Sequence, residues 1–254
     1  MRYEILGSLR VADGEVTITA PKIEVVLATL LIRSGEVVSV DQLVTEVWGG
    51  EPPQRATAAL YVYVSQLRKL LPRDESGARP IETRSPGYVL RADEGQLDLH
   101  LFQRLVRESR AHVRAGRWDE ARVGLEEALG LARGPALATL PGGPVINGFA
   151  RWVEEVRLEC QETLGEMKLR LGRHREMVGV LSGLIREHPL HEPFYGQLML
   201  ALYRCDRRAD ALGVYQTARE TLNRELGLDP GRGLREMQRS ILAADEVLDV
   251  RPAV

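Results

Sequence analysis

Lysine is scarce in this chain. Among 254 residues it occurs only as Lys22, Lys69 and Lys168, so arginine supplies nearly all of the 34 basic side chains. With abundant Ala, Gly and Leu, that bias points to a high-GC coding genome. Cysteine is scarcer still. Cys160 and Cys205 stand far apart, which argues against a disulfide or a metal pair and fits buried thiols in a reducing cytoplasm. No apolar run approaches the roughly 18 residues of a membrane span. The first ten residues lack the charged-then-apolar order of a secretory signal. His188 and His191 have a metal-like spacing but no Cys or carboxylate companions, so a contact at a helix end explains them better than a metal. No Ser/His/Asp or Cys/His set has the local context of catalysis, so neither an enzyme nor a cofactor is expected. A formal net charge of −2 argues against binding nucleic acid with the whole surface, and any such activity must be regional.

What is present is a soluble composition, 44% hydrophobic and 28% charged, long enough for one large domain or two ordinary ones. Its most informative stretch runs from Pro53 to Leu71. Pro53 suits a first helical turn. Ala56, Leu60, Val64, Leu67 and Leu71 then recur at helical spacing and form one apolar stripe. A helical wheel puts Arg55, Ala58, Val62, Ser65 and Lys69 on the opposite face, with Tyr61 and Arg68 on one flank and Gln66 on the other. Small, polar and basic side chains on such a face can approach a DNA groove. Ser and Gln can bond base edges, Val can meet a thymine methyl, and Arg and Lys can meet phosphates. An ordinary solvated helix has the same pattern, so the surroundings decide. From Gln54 to Arg91 there are seven basic residues (Arg55, Arg68, Lys69, Arg73, Arg79, Arg84, Arg91) against three acidic ones (Asp74, Glu75, Glu82). The local net charge is thus +4 within a chain of −2, which is the footprint that phosphate binding requires.

In chain order, Tyr3–Val11 alternates and reads as a strand broken at Gly7. Asp13-Gly14 reads as a hairpin turn, and Glu15–Thr19 as the next strand. A helix is expected from Pro21 to about Arg33, ended by Gly35. A short extended piece at Val37–Ser39 precedes a second helix, about Val40–Val47, capped by Ser39 or Asp41. After the Trp48–Pro52 turn and the third helix, Pro80–Thr83 and Tyr88–Arg91 read as a hairpin around Arg84-Ser85-Pro86-Gly87.

Strands, three helices and a terminal hairpin are the order of a winged helix-turn-helix. Val62–Leu70 (Val-Tyr-Val-Ser-Gln-Leu-Arg-Lys-Leu), the following Ile-Glu-Thr-Arg-Ser-Pro-Gly-Tyr-Val and the Trp48-Gly49 pair resemble the effector domain of OmpR/PhoB-type response regulators over about residues 1–92. The resemblance implies that the third helix enters the major groove while the hairpin touches the minor groove. Val62 would contact a base. Tyr63, Ser65, Gln66 and Arg68 fall at contact positions, and Thr83 and Arg84 on the wing. This chain departs from the pattern in a wing about one residue shorter, and in Ala58 and Ser65, where that family often has Arg. A base preference therefore does not carry over. No receiver domain is expected ahead of this one.

The second half is helical in pattern: Leu97–Ala115, then a helix to Ala132 with Trp118, Ala121, Leu125, Ala128 and Leu129 inward. A Gly/Pro-rich insertion, Gly134–Gly148, packs as a loop on the repeats. A long helix from about Phe149 to Leu171 and further helices to about Leu248 are expected to follow, with Val250–Val254 expected to be a frayed tail. The turn at 115–121 (Ala-Gly-Arg-Trp-Asp-Glu-Ala) recurs at 171–177 and, without its Gly, at 205–212. Three tetratricopeptide-like helix pairs are therefore predicted. The acid-rich stretch Glu154, Glu155, Glu159, Glu162 and Glu166 is a solvated face.

Gly134-Pro135-Ala136-Leu137, Leu140–Pro144, Leu171–His174, Glu187–Leu190, Gln197–Arg204 and Glu225–Gly231 resemble the bacterial transcriptional activation domain. A winged helix followed by that domain is similar to the Streptomyces antibiotic regulatory protein family in its short two-domain form. The expected fold is an α+β winged helix-turn-helix domain, 1–93, followed by an all-α tetratricopeptide-like repeat domain, 97–248. The resemblance implies a cytoplasmic activator of a secondary-metabolite (antibiotic) gene cluster. It would bind direct repeats in double-stranded promoter DNA as a homodimer and recruit RNA polymerase holoenzyme, including its sigma factor. The larger relatives carry an ATP module, but no Gly-x-x-x-x-Gly-Lys-Ser/Thr loop is present here, so ATP hydrolysis is not expected. The alternatives are a repressor of the same fold and a repeat scaffold that binds only protein.

Overall fold

The computed structural model describes residues 2–12, 18, 20–71, 77, 79–93 and 95–248. It divides into two compact units, 1–158 and 159–254. The first opens with β1 (Arg2–Glu4) and β2 (Arg10–Ala12), which pair antiparallel with Tyr3 opposite Val11. The stretch predicted as one broken strand is thus two strands folded on each other around Gly7. The proposed Asp13-Gly14 turn and most of the strand after it lie outside the described residues.

Three helices follow. α1 (Pro21–Ile32) starts on a proline and buries Ile23, Val26, Leu27, Leu30 and Leu31. β3 (Val38–Ser39) leads into α2 (Val40–Trp48), where a capping box is complete: the Ser39 hydroxyl accepts from the Gln42 N–H, and the Gln42 side chain accepts from the Ser39 N–H. α3 (Ala56–Leu70) is shorter than predicted. Its start is held by a turn in which the Pro53 carbonyl accepts from the Ala56 N–H, so Pro53 and Gln54 precede the helix. The expected stripe, Ala56, Leu60, Val64 and Leu67, is buried.

β4 (Ile81–Arg84) and β5 (Gly87–Leu90) form the terminal hairpin, with Arg84 opposite Gly87 and Ser85-Pro86 as the tip. β5 also pairs with β3, giving the order β3-β5-β4. Gly87 is required at that crossing, because a Cβ there would collide with the Val38 carbonyl.

The same unit continues through α4 (Asp98–Arg114), α5 (Trp118–Leu131) and the start of α6 (Pro144–Arg170). Two buried carboxylates hold these helices to the winged helix. Asp98 accepts from the Ile5 N–H at 2.9 Å and the Leu6 N–H at 3.1 Å, and meets Arg133 at 3.2 Å. Burial pushes its carboxyl up, while the two N–H groups and Arg133 pull it back down. Glu46, near the end of α2, accepts from the Val145 and Ile146 N–H groups at 2.9 and 2.8 Å. Those amides belong to the first turn of α6, where a helix has donors without partners and favours negative charge.

The segment 133–143 is bonded to the link between β1 and β2: the Arg133 N–H reaches the Leu6 carbonyl, and the Leu137 N–H reaches that of Gly7. α6 begins at Pro144, five residues before the predicted start, because proline suits the first helical position. Trp118, expected inside, is 39% exposed.

The second unit holds the rest of α6, then α7 (His174–Glu187), α8 (Glu192–Tyr203), α9 (Arg208–Leu226), α10 (Arg232–Ala243) and a short 3-10 turn, Glu246–Leu248. Phe194, Tyr195, Met199 and Leu202 of α8 form the middle of its core. His188 and His191 bracket the α7–α8 turn, and the His191 ring lies 4.4 Å from that of Phe194.

The predicted repeat turns share one backbone solution. Gly116, Gly172 and Asp206 all take a positive φ, of 71°, 77° and 60°. The next N–H (Arg117, Arg173, Arg207) bonds back to the carbonyl five residues earlier (His112, Lys168, Leu202). Asp206 fills the place of the missing glycine, since Asp tolerates the left-handed region better than most residues.

Candidate nucleic-acid interface

The outward face of α3 is open. Arg55, Ala58, Val62, Ser65, Gln66 and Lys69 are all exposed, Val62 to 53%. A solvent-exposed valine in the middle of a helix whose other face is core gains nothing from burial within the chain. Among the described residues, neither Arg55 nor Lys69 has an ion pair.

The flanks of α3 are occupied. On one side Arg68 is half-buried. Its Nε donates to the Ile81 carbonyl at 3.0 Å, one terminal nitrogen donates to the Thr83 hydroxyl at 2.8 Å, and the guanidinium lies 5.6 Å from the Tyr88 ring centroid. Arg68 and Thr83, predicted as separate DNA contacts, are therefore bonded to each other and join the helix to the wing. Burial raises the Tyr88 phenol, nearby Tyr61 adds to the rise, and Arg68 opposes it. On the other side Tyr63 is half-buried and stacks on Trp48, with centroids 6.0 Å apart and planes 20° from parallel. The Lys22 ammonium lies 4.9 Å from the Trp48 ring centroid. The wing brings Arg84 to the hairpin tip, where it is exposed and pairs with Glu82 at 3.0 Å. Arg91 faces the same carboxylate at 4.0 Å.

The predicted residues thus fall into three groups. Arg55, Ala58, Val62, Ser65, Gln66 and Lys69 share the open face, Arg68 and Thr83 form the junction with the wing, on whose tip Arg84 sits, and Tyr63 lies on the far flank. Trp48 and Lys22 were not among the candidates. The Trp48-Gly49 pair was a visible signal for the first. Lys22 had none, because nothing local in the sequence brings the first turn of α1 to the end of α2. Arg73, within the basic count, lies outside the described residues. Among the described residues no group of three or more His, Cys, Asp or Glu could hold a metal, and no helix is long and apolar enough to cross a membrane.

A helix-turn-helix with an open polar and basic face, a three-stranded wing and attached helical repeats defines the transcription-regulator class. Two family models match: "Transcriptional regulatory protein, C terminal" over residues 14–90, and "Bacterial transcriptional activator domain" over residues 97–242. The chain belongs to the Streptomyces antibiotic regulatory protein family.

It is 39% identical to the regulatory protein AfsR of Streptomyces griseus over all of this chain and 26% of that one, so it spans about a quarter of that regulator's length. It is 35% identical to the regulatory protein DnrI of Streptomyces peucetius over 98% of this chain and 94% of DnrI. The structure of Mycobacterium tuberculosis EmbR in complex with a low-affinity phosphopeptide matches with a TM-score of 0.87 and 34% identity, covering 96% of this chain and 65% of EmbR. The family models meet near residue 97, whereas packing divides the chain at 158, inside α6. The first helical pair belongs by sequence to the activator domain and by packing to the winged-helix unit.

Proposed function

We propose that this chain is a cytoplasmic, sequence-specific DNA-binding activator of a secondary-metabolite gene cluster. Residues 1–93 read direct repeats upstream of a promoter, and residues 97–248 meet RNA polymerase holoenzyme, including its sigma factor. Two copies bind head to tail on adjacent repeats. The observation that carries this reading is the open face of α3 set between two braced flanks, in a chain whose helical part matches a transcriptional activator domain.

In this reading Val62, Ser65 and Gln66 meet base edges from the major groove, Ala58 allows close approach, and Arg55 and Lys69 meet phosphates. Tyr63 packs beside the backbone. Arg68 holds the wing through Ile81 and Thr83, and Arg84 exchanges Glu82 for phosphate or the minor groove. The mechanism is recruitment: DNA contacts hold the repeats beside a weak promoter, and protein contacts stabilise polymerase there.

The test is a footprint on promoters of the neighbouring gene cluster, with and without polymerase. Protection of spaced direct repeats that extends when polymerase is added is the expected result. Protection that excludes polymerase would make the chain a repressor, and no protection at low salt would leave only a protein scaffold. Gln66→Ala tests base reading. It should lower affinity for the repeat by about 1–3 kcal/mol while leaving random DNA nearly unaffected. Equal losses on both would remove Gln66 from the reading set.

A further inference from the structure

Lys22 lies in the first turn of α1, more than twenty residues from the helix-turn-helix turn, yet its ammonium lies 4.9 Å from the Trp48 ring centroid. Trp48 in turn stacks on Tyr63 of α3. Two ring contacts thus link Lys22, through Trp48, to Tyr63 on the side of α3 away from the Arg68–Thr83 junction. Helix stability does not account for it. A positive charge in a first helical turn opposes the helix dipole; Glu24 is the residue of that turn whose charge favours it, and no side-chain cap involves Lys22. No ion pair accounts for it either, since among the described residues no carboxylate is within salt-bridge distance of Lys22. The indole face restricts an otherwise mobile four-carbon stem while leaving the ammonium in water. Of the three lysines in the chain, one is held here and one, Lys69, lies on the open face of α3.

A helix lying in a major groove has a phosphate backbone along each side. On such a helix the wing junction would lie toward one backbone, and Lys22, linked through Trp48 to Tyr63, toward the other. We propose that Lys22 is a DNA phosphate contact, presented by Trp48 and independent of base sequence. This inference rests on the DNA-reading function proposed above.

The test uses the full chain and a mixed-sequence duplex, with binding followed by fluorescence anisotropy across a salt series. Lys22→Ala should make the log–log salt slope less steep by about 0.9, the value for one phosphate on duplex DNA. Its melting temperature should match the wild type, and Lys22→Arg should keep the wild-type slope. An unchanged slope for Lys22→Ala, beside a steep wild-type slope, would overturn the Lys22 contact alone. A wild type that shows no salt-dependent binding would overturn the DNA-reading function and Lys22 with it.

Discussion

Arg55, Lys69 and Lys22 around α3 and five arginines of the unit 159–254 are the same kinds of residue put to opposite use. In the helical unit Arg207, Arg219 and Arg232 face carboxylates at 2.7, 3.4 and 2.6 Å. Arg208 donates to the Leu242 carbonyl, and Arg204 to those of Leu169 and Leu248. On the reading side Arg55, Lys69 and Lys22 are exposed and, among the described residues, face no carboxylate. Arg84 is intermediate, exposed at the wing tip but held by Glu82. The difference teaches that basic composition alone does not locate a polyanion site. Arginines satisfied within the chain present little attraction to phosphate, whereas cations that face no carboxylate around one helix concentrate it.

The contrast is broken most severely where a buried charge is engaged. Asp98→Ala strips the acceptor from two N–H groups and from Arg133 and leaves that guanidinium half-buried beside Glu4 alone. Chemical denaturation should show a loss of about 3–5 kcal/mol in the unit that holds the winged helix. A loss under 1 kcal/mol would mean that Asp98 does not tie β1 to α4.

Arg68→Ala comes next, because Arg68 is engaged with the chain and also borders the reading face. Removing its two hydrogen bonds should lower stability by about 1–3 kcal/mol. It should also erase footprint protection at the wing while protection under α3 persists at higher protein concentration. Arg68→Lys should fail to rescue either effect, since an ammonium cannot span the Ile81 carbonyl and the Thr83 hydroxyl as a planar fork does.

The smallest effects sharpen the comparison directly. Lys69→Ala should leave stability within about 0.5 kcal/mol of wild type while lowering the DNA salt slope by about 0.9. Arg207→Ala, at an exposed i,i+3 pair, should change stability by less than about 0.5 kcal/mol and leave the slope unchanged. If the two variants behave alike on DNA, the open-versus-engaged distinction has no functional content.

Much of this was legible from periodicity. The stripe Ala56-Leu60-Val64-Leu67 located the third helix, the cap candidates Ser39 and Asp41 located the start of the second, and the repeated turns located the helix pairs. What stayed hidden depends on contacts distant in sequence. The wheel placed Arg68 on a flank but could not show that the flank is closed by β4, thirteen to fifteen residues later. Trp118 read as core because its spacing matched Ala121 and Leu125, yet the side chain remains partly exposed at the start of α5. The Gly/Pro-rich segment after α5 read as a loop on the repeats. Its partner, the Leu6-Gly7 backbone, lies about 130 residues away, and no local pattern encodes that pairing.

The repeated turn has a consequence for how such a chain can change. Each reversal closes on its own backbone hydrogen bonds, within five residues, and asks of the sequence only one position that tolerates the left-handed region. These joints are natural splice points, at which a helix pair can be duplicated or deleted without re-engineering the neighbouring bend. Lineages could thus lengthen or shorten the helical part in whole-pair increments while the winged helix keeps its chemistry.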